Sequence, residues 1–195
     1  TSFDIAGLSL PMEHNKKMFP LEITSLKGTA DLNQNKLTHN VNANLLGGSL
    51  GVTGNLNIGN KNSANTTIKL KTIDLSSLYQ FIPSMSGSIS GDVKLKGHLP
   101  ENGKIPNNLK VDTIFDLENL RMPLEIKGKM VNAEISKIKG NVSLNRKKLN
   151  HNITAKLLGG NVSAKGNLLL KDSGAPHAVD TAIGLEHLDL VLIQR

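Results

Sequence analysis

A mostly β fold of antiparallel meander repeats, forming a curved sheet or open groove with short capping helices, follows from three properties of this 195-residue sequence. Apolar and polar residues alternate with period two almost throughout. One stretch of 32 residues is written twice. Short clusters of glycine, asparagine and proline separate the alternating runs at regular spacing.

The alternation is clearest in "LTHNVNANL", where Leu37, His39, Val41, Ala43 and Leu45 point one way and Thr38, Asn40, Asn42 and Asn44 the other. Successive side chains of a strand project to opposite faces, so such a run has one apolar and one polar face. After "LLGGSL" the pattern resumes with Leu50, Val52, Gly54, Leu56 and Ile58 on the apolar side. Adjacent glycines tolerate positive φ, and Gly47-Gly48 marks a tight hairpin or bulged corner between the two runs.

The same sentence returns at residues 149–170, an offset of 149 − 37 = 112. Aligned from Lys27 and Lys139, 16 of 32 positions are identical without a gap. Repeat architecture therefore precedes any search for a site. The second copy keeps its sidedness, with Leu149, His151, Ile153, Ala155 and Leu157, then Val162, Ala164, Gly166, Leu168 and Leu170. The preceding run recurs as well (Leu26, Gly28, Ala30 and Leu32 against Ile138, Gly140, Val142 and Leu144). Downstream, "ANTTIKLKTIDL" at 64–75 matches "VDTAIGLEHLDL" at 179–190, now at 179 − 64 = 115. Counting "SGSISGDVKLKG" and "NLKVDTIFDLENL", roughly ten to twelve strands are expected.

One segment leaves the period. "DLSSLYQFIP" at 74–83 sets Asp74 before helix-spaced Leu75, Leu78, Tyr79 and Ile82 and stops at Pro83, describing a helix of about two turns near 75–82. "LDLVLI" at the end of the chain, with Asp189 in the capping place, would start the equivalent helix. The expected organisation is a first β-repeat over 1–97, a loop over 98–108 ("HLPENGKIPNN") and a second β-repeat over 109–195, cut short at its end as in a piece of a longer protein.

Composition narrows function. The absence of cysteine removes disulfide frameworks, thiolate metal sites and cysteine nucleophiles. Lysine and arginine number 23 against 16 acidic residues, net charge +7, but the lysines are scattered singly, as on a solvated outer face. A sharper reading of the charge is adhesion to anionic lipid surfaces. Single-stranded nucleic acid is a poor fit, because aromatics make up only 3% and stacking platforms need them. No nucleophile elbow, phosphate loop, HExxH motif or close carboxylate pair is present, so no catalytic residue, cofactor or enzyme activity is assigned. The six histidines include His39 and His151 at equivalent apolar-face positions. Separated by the repeat length, they do one structural job twice and are not assigned as metal ligands.

A sheet with a single apolar face must have it covered, because burial is worth about 25 cal/mol per Å². A second sheet, closure into a barrel, or a trough around an apolar guest would each do so. Repetition extends a surface in one direction and suits the trough.

The glycine hairpin, the strand after it and "IDLSSLYQFIPSMSGSISGDVKLKG" resemble the AsmA family of bacterial envelope proteins. The resemblance rests on Gly47, Gly48, Asp74, Leu75, Leu78, Ser86, Gly87, Gly91 and Gly97, with Gly159, Gly160, Asp189 and Leu190 in the second copy, and on the opening "PLEITSLKG". It implies the AsmA-like C-terminal region: a repeating β-groove similar to the bridge-like lipid-transfer proteins. It also implies residence in the Gram-negative periplasm as part of a longer protein anchored in the inner membrane, and a role in outer-membrane biogenesis. The expected partners are phospholipid or another acyl-chain lipid, together with inner- and outer-membrane envelope proteins. The expected lining of such a groove is Leu37, Val41, Ala43, Leu45, Leu50, Val52, Leu56, Ile89, Val93, Leu95, Leu149, Ile153, Ala155, Leu157, Val162, Ala164 and Leu168. The alternative is a non-catalytic β-sandwich scaffold that assists outer-membrane protein assembly without lipid cargo.

Overall fold

Each alternating run becomes one strand. The computed structural model describes residues 1–14, 17–59, 62–78, 85–102, 104–126, 129–157 and 159–188, with backbone alone at 14, 17, 19, 122–126 and 129–133. Within them are β1 (Ser2–His14), β2 (Lys17–Asn33), β3 (Lys36–Leu45), β4 (Gly48–Asn57), β5 (Ser63–Asp74), β6 (Ser86–His98), β7 (Lys110–Ile126), β8 (Lys129–Asn145), β9 (Lys148–Leu157), β10 (Gly160–Leu170) and β11 (Pro176–Glu186). All eleven form one antiparallel sheet in strict chain order, so each strand pairs with the one before it. The sheet is curved and does not close, leaving β1 and β11 as its outer strands.

A single layer accounts for the exposure of the molecule. A compact protein of 20.9 kDa exposes about 9,000 Å², whereas this chain exposes 13,196 Å². No large side chain among the described residues is fully buried. Among the described residues the interior of a closed sandwich is therefore absent, and most aliphatic residues of the strands are only half covered, by their in-plane neighbours.

Register shows that the duplication is longer than the glycine hairpin indicates. Residues 1–26 align with 113–138 at the same offset, 113 − 1 = 112, with ten identities that include Phe3/Phe115 and Asp4/Asp116. The pairing agrees: Phe3 faces Gly28 and Asp4 faces Lys27, while Phe115 faces Gly140 and Asp116 faces Lys139. Strands β1–β5 thus correspond to β7–β11. No strand of the sheet falls between His98 and Lys110 among the described residues, and β6 pairs directly with β7, so the sheet runs from one repeat to the other without interruption.

Four of the seven buried apolar residues among the described ones lie near irregularities of the pairing. Register shifts at Ile23/Ser25, Leu70/Ile73, Ser86/Ser88 and Ile135/Lys137 lie toward the end of the sheet that carries the Gly47-Gly48 and Gly159-Gly160 hairpins. Bulges bend a strand and increase its twist, and beside them sit Ile23, Ile73, Leu75 and Leu120, each under 9% exposed. Four bulge or near-bulge residues adopt left-handed φ in matching places of the two copies: Gly7 with Asn119, and Thr72 with His187.

The hairpin glycines have two different tasks. Gly47 (φ 68) and Gly159 (φ 74) supply the left-handed turn residue. Gly48 and Gly160 are where the backbone of the bulge comes closest: a Cβ would lie 2.5 Å from the carbonyl oxygens of Lys71 and Thr72 at Gly48. At Gly160 it would lie 2.6 Å from His187.

The predicted capping helices require correction. The described part of 74–83 is a single 3-10 turn, Leu75–Leu78, with Leu75 buried. Asp74 does act as its cap, its Oδ1 accepting from the Ser76 N–H at 2.8 Å. Two serines follow Leu75, and serine competes with helical hydrogen bonding through its own hydroxyl, which suits the tighter 3-10 turn seen over Leu75–Leu78. Residues 79–83 and the second expected helix from Asp189 onward lie outside the described residues.

Candidate functional site: an apolar sheet face

The register carries side-chain identity from strand to strand. Residues directly opposite each other in an antiparallel pair point to the same face, and one row can be followed through all eleven strands. It reads Ile5, Leu26, Ala43, Leu50, Leu70, Gly91, Phe115, Gly140, Ile153, Ala164 and Ile183. Every member is aliphatic, aromatic or glycine. One residue along, the row on the other face reads Asp4, Lys27, Asn42, Gly51, Lys69, Asp92, Ile114, Asn141, Asn152, Lys165 and Ala182.

All seventeen residues named from the sequence fall on the apolar face. Ala43, Leu50, Ile153 and Ala164 belong to the row just traced. Val41, Val52 and Val93 share the next, and Leu95, Leu149 and Leu168 the one beyond. Leu37 faces Leu56, and Ile89 reaches Ala155 and Val162 through Leu117 and Ile138. Leu45 and Leu157 lie opposite Gly48 and Gly160 at the hairpins. Ala43 is buried and the other sixteen are half-buried; none is exposed. The sequence reading missed Phe3, Leu26, Ile68, Leu70, Phe115 and Val142, which occupy the same rows. For Phe3 and Phe115 the signal was their correspondence at offset 112, whereas Leu26, Ile68, Leu70 and Val142 stood in alternating runs already read as strands.

Two histidines interrupt this face, and both are accommodated identically. His39 lies beside Gly54 and reaches over it, its Nε2 standing 3.4 Å from Thr66 Oγ1. His151 reaches over Gly166 to Thr181 Oγ1 at 3.2 Å. In each ring Nδ1 is buried without a partner. The glycine between is required by backbone proximity: a Cβ at Gly54 would stand 2.2 Å from the Asn65 carbonyl oxygen, and at Gly166 2.0 Å from that of Asp180. A similar use of glycine seats the aromatic rings, since Cβ atoms at Gly28 and Gly140 would meet Phe3 Cζ at 2.9 Å and Phe115 Cζ at 2.7 Å.

The polar face carries the charge. Lys27 pairs with Asp4 at 3.0 Å and Lys139 with Asp116 at 3.5 Å, the same pair in each copy. Arg121 and Glu134 pair at 3.0 Å. Solvent screens such pairs, and each contributes about 0–1 kcal/mol. An open depression of about 870 Å³ also lies on this side, because ten of its lining residues, among them Asp92, Ile114, Asn141 and Thr154, belong to the polar face. It is shallow and mixed in character, and it offers no convergent set of chemical groups. Among the described residues no three His, Asp or Glu side chains converge as a metal site, and no helix is long and apolar enough to cross a membrane.

A one-layer sheet with one apolar face is thus the dominant feature, and its chemistry is that of a surface for apolar matter. No family model, curated protein or solved structure matches the chain. The reading of the face rests on its own geometry.

Proposed function

We propose that the chain is a periplasmic segment of an AsmA-like envelope protein whose apolar sheet face holds phospholipid acyl chains during outer-membrane biogenesis. The observation that supports this reading is the unbroken apolar row from Ile5 to Ile183 on a sheet that no second layer covers among the described residues. Monomeric proteins rarely expose apolar patches beyond a few hundred Å², and larger ones mark surfaces that meet lipid, ligand or protein. An acyl chain gains about 0.8 kcal/mol per buried methylene wherever it lies on such a face. The two His–Thr contacts are already made within the protein, so the surface offers a guest few directional anchors. A guest held in this manner can slide along the rows. Headgroups remain at the wet rim, where Lys36 and Lys148 begin their strands.

The test is extraction of the purified protein with organic solvent, followed by mass spectrometry for phospholipid, in the parent and in Val52→Asp and Ala164→Asp. Both residues are half-buried on the apolar face. Co-purifying lipid that falls in the variants, with β-sheet circular dichroism unchanged, supports the proposal. A lipid-free parent protein sinks it and leaves the scaffold role, in which the apolar face serves a protein partner.

A further inference from the structure

The net charge of the described residues sits at one end of the strands. One rim of the sheet is formed by the connections that follow β2, β4, β6, β8 and β10, and the opposite rim carries the Gly47-Gly48 and Gly159-Gly160 hairpins. Over 31–37, 57–63, 96–110, 144–149 and 169–177, which make the first rim, the described residues include eight lysines and arginines against three acids, a charge of 8 − 3 = +5. Over 12–22, 44–50, 71–88, 118–137, 156–162 and 185–188, which make the second, six stand against seven, 6 − 7 = −1. Between the rims the sheet holds five of each sign. One rim is basic and the other is not.

The lysines of the basic rim are also in register. Lys96 of β6 stands directly opposite Lys110 of β7, and the row continues through Asn145 to Lys148. All three are exposed, and among the described residues none of them is in an ion pair. Like charges directly opposite destabilise an antiparallel pair, so an anion seated between them relieves a repulsion that the sheet otherwise carries. The basic positions recur with the repeat. Lys36 and Lys148 open β3 and β9, and the next residues, Leu37 and Leu149, belong to the apolar face. Lysine has a long flexible stem, and at the end of a single-layer sheet such a stem reaches past the strand to either side.

We propose that the basic rim sets the headgroup class and the orientation of the lipid: acyl chains lie along the strands on the apolar face, and an anionic phosphate headgroup rests among Lys36, Lys96, Lys110, Arg146 and Lys148. The inference rests on the acyl-chain reading given above and adds selectivity to it. Clustered lysine and arginine attract anionic lipid, whereas the ammonium of a zwitterionic headgroup offsets part of that attraction. The opposite rim, with its slight acidic excess, offers such a phosphate no equivalent seat. A lipid that passes from strand to strand therefore keeps its phosphate on one side and its chain ends toward the glycine hairpins.

A competition for lipid tests it. The whole chain is incubated at low salt with vesicles of equal phosphatidylglycerol and phosphatidylethanolamine, freed of vesicles by flotation, and extracted for mass spectrometry. Protein-bound lipid should favour phosphatidylglycerol by roughly fivefold or more. Lys36→Gln/Lys148→Gln should bring that ratio several-fold closer to parity, while Lys71→Gln/Lys156→Gln, with the same loss of charge on the opposite rim, should leave it unchanged. All four lysines are exposed, so neither pair of changes disturbs the packing of the sheet. Bound lipid with no preference, or an equal fall in the ratio for both double variants, overturns the inference and leaves the acyl-chain reading in place. Protein that carries neither lipid overturns both, as does protein that floats with the vesicles and is lipid-free once separated from them.

Discussion

His39 Nε2 and Thr66 Oγ1 meet 3.4 Å apart by passing over Gly54, a strand that neither residue belongs to. The contact joins β3 to β5 across β4, and its duplicate, His151 to Thr181 over Gly166, joins β9 to β11 across β10. In a sheet otherwise held by nearest-neighbour pairing, these are links between second neighbours. Thr66→Val removes the hydroxyl and leaves Nε2 on an apolar surface, and Thr181→Val does the same in the second copy. Each should lower unfolding free energy by about 1 kcal/mol in urea denaturation. The double variant should lose close to the sum, since the two contacts lie in different repeats and share no partner.

The glycines beneath those rings are less forgiving. Gly54→Ala and Gly166→Ala place a methyl against a backbone carbonyl, which cannot swing aside as a side chain can. Losses of about 1–3 kcal/mol each are expected. Gly59→Ala, where nothing stands within 4 Å, is the control and should stay within about 0.5 kcal/mol of the parent. Equal effects at all three positions would refute the close-approach account.

Turn residues offer the opposite sign. Gln34 (φ 53) and Arg146 (φ 49) occupy the left-handed region at the same place in the two copies. Neither has the short polar side chain or missing Cβ that makes this region easy. Gln34→Gly and Arg146→Gly should therefore raise the denaturation midpoint, each by about 0.5–1 kcal/mol. A fall in stability would show that these side chains have contacts that outweigh their backbone strain.

Acid should reach the cap at Asp74 before it reaches the sheet. The Ser76 hydroxyl and backbone N–H both bond its carboxylate and hold its pKa below the ordinary value of 3.8. A depressed folded pKa contributes stability that is fully present above the unfolded value and is lost as pH falls through the folded one. Asp74→Ala should accordingly cost about 1 kcal/mol near neutral pH. The gap between parent and variant should hold down to about pH 4 and close below it. A gap that does not change with pH would mean that the carboxylate charge has no part in the cap.

How much of this was legible beforehand differs from element to element. Alternation in "LTHNVNANL", its copy and the neighbouring runs put the seventeen named residues on one face of the sheet, because a period of two leaves a strand one choice of sides once its neighbours are apolar. The turn at Gly47-Gly48 was equally plain, though the separate task of Gly48 against the Thr72 bulge was not. Bulges such as those at Thr24 and Thr72 leave no compositional mark, since threonine is an ordinary strand residue and the extra residue shows only in the pairing, whereas Asn119 and its counterpart Gly7 are residue types that take left-handed φ readily. The helix expected after Asp74 failed for a local reason, since the cap was right while Ser76 and Ser77 have little tendency to continue it. The first and seventh strands were not recognised as copies of each other because their ten identities with offset 112 are scattered, and the register makes the match plain by repeating Phe3 with Gly28 and Asp4 with Lys27 as contacts between strands. Contacts of that kind become visible only when register is known.

The strict neighbour-to-neighbour order of the strands sets a ruler. With strands about 4.8 Å apart, eleven of them carry the oily row across roughly 48 Å, and each additional six-strand unit of the same plan would lengthen it by about 29 Å. Reach in this design scales with the number of copies, without any need to redesign the cross-section.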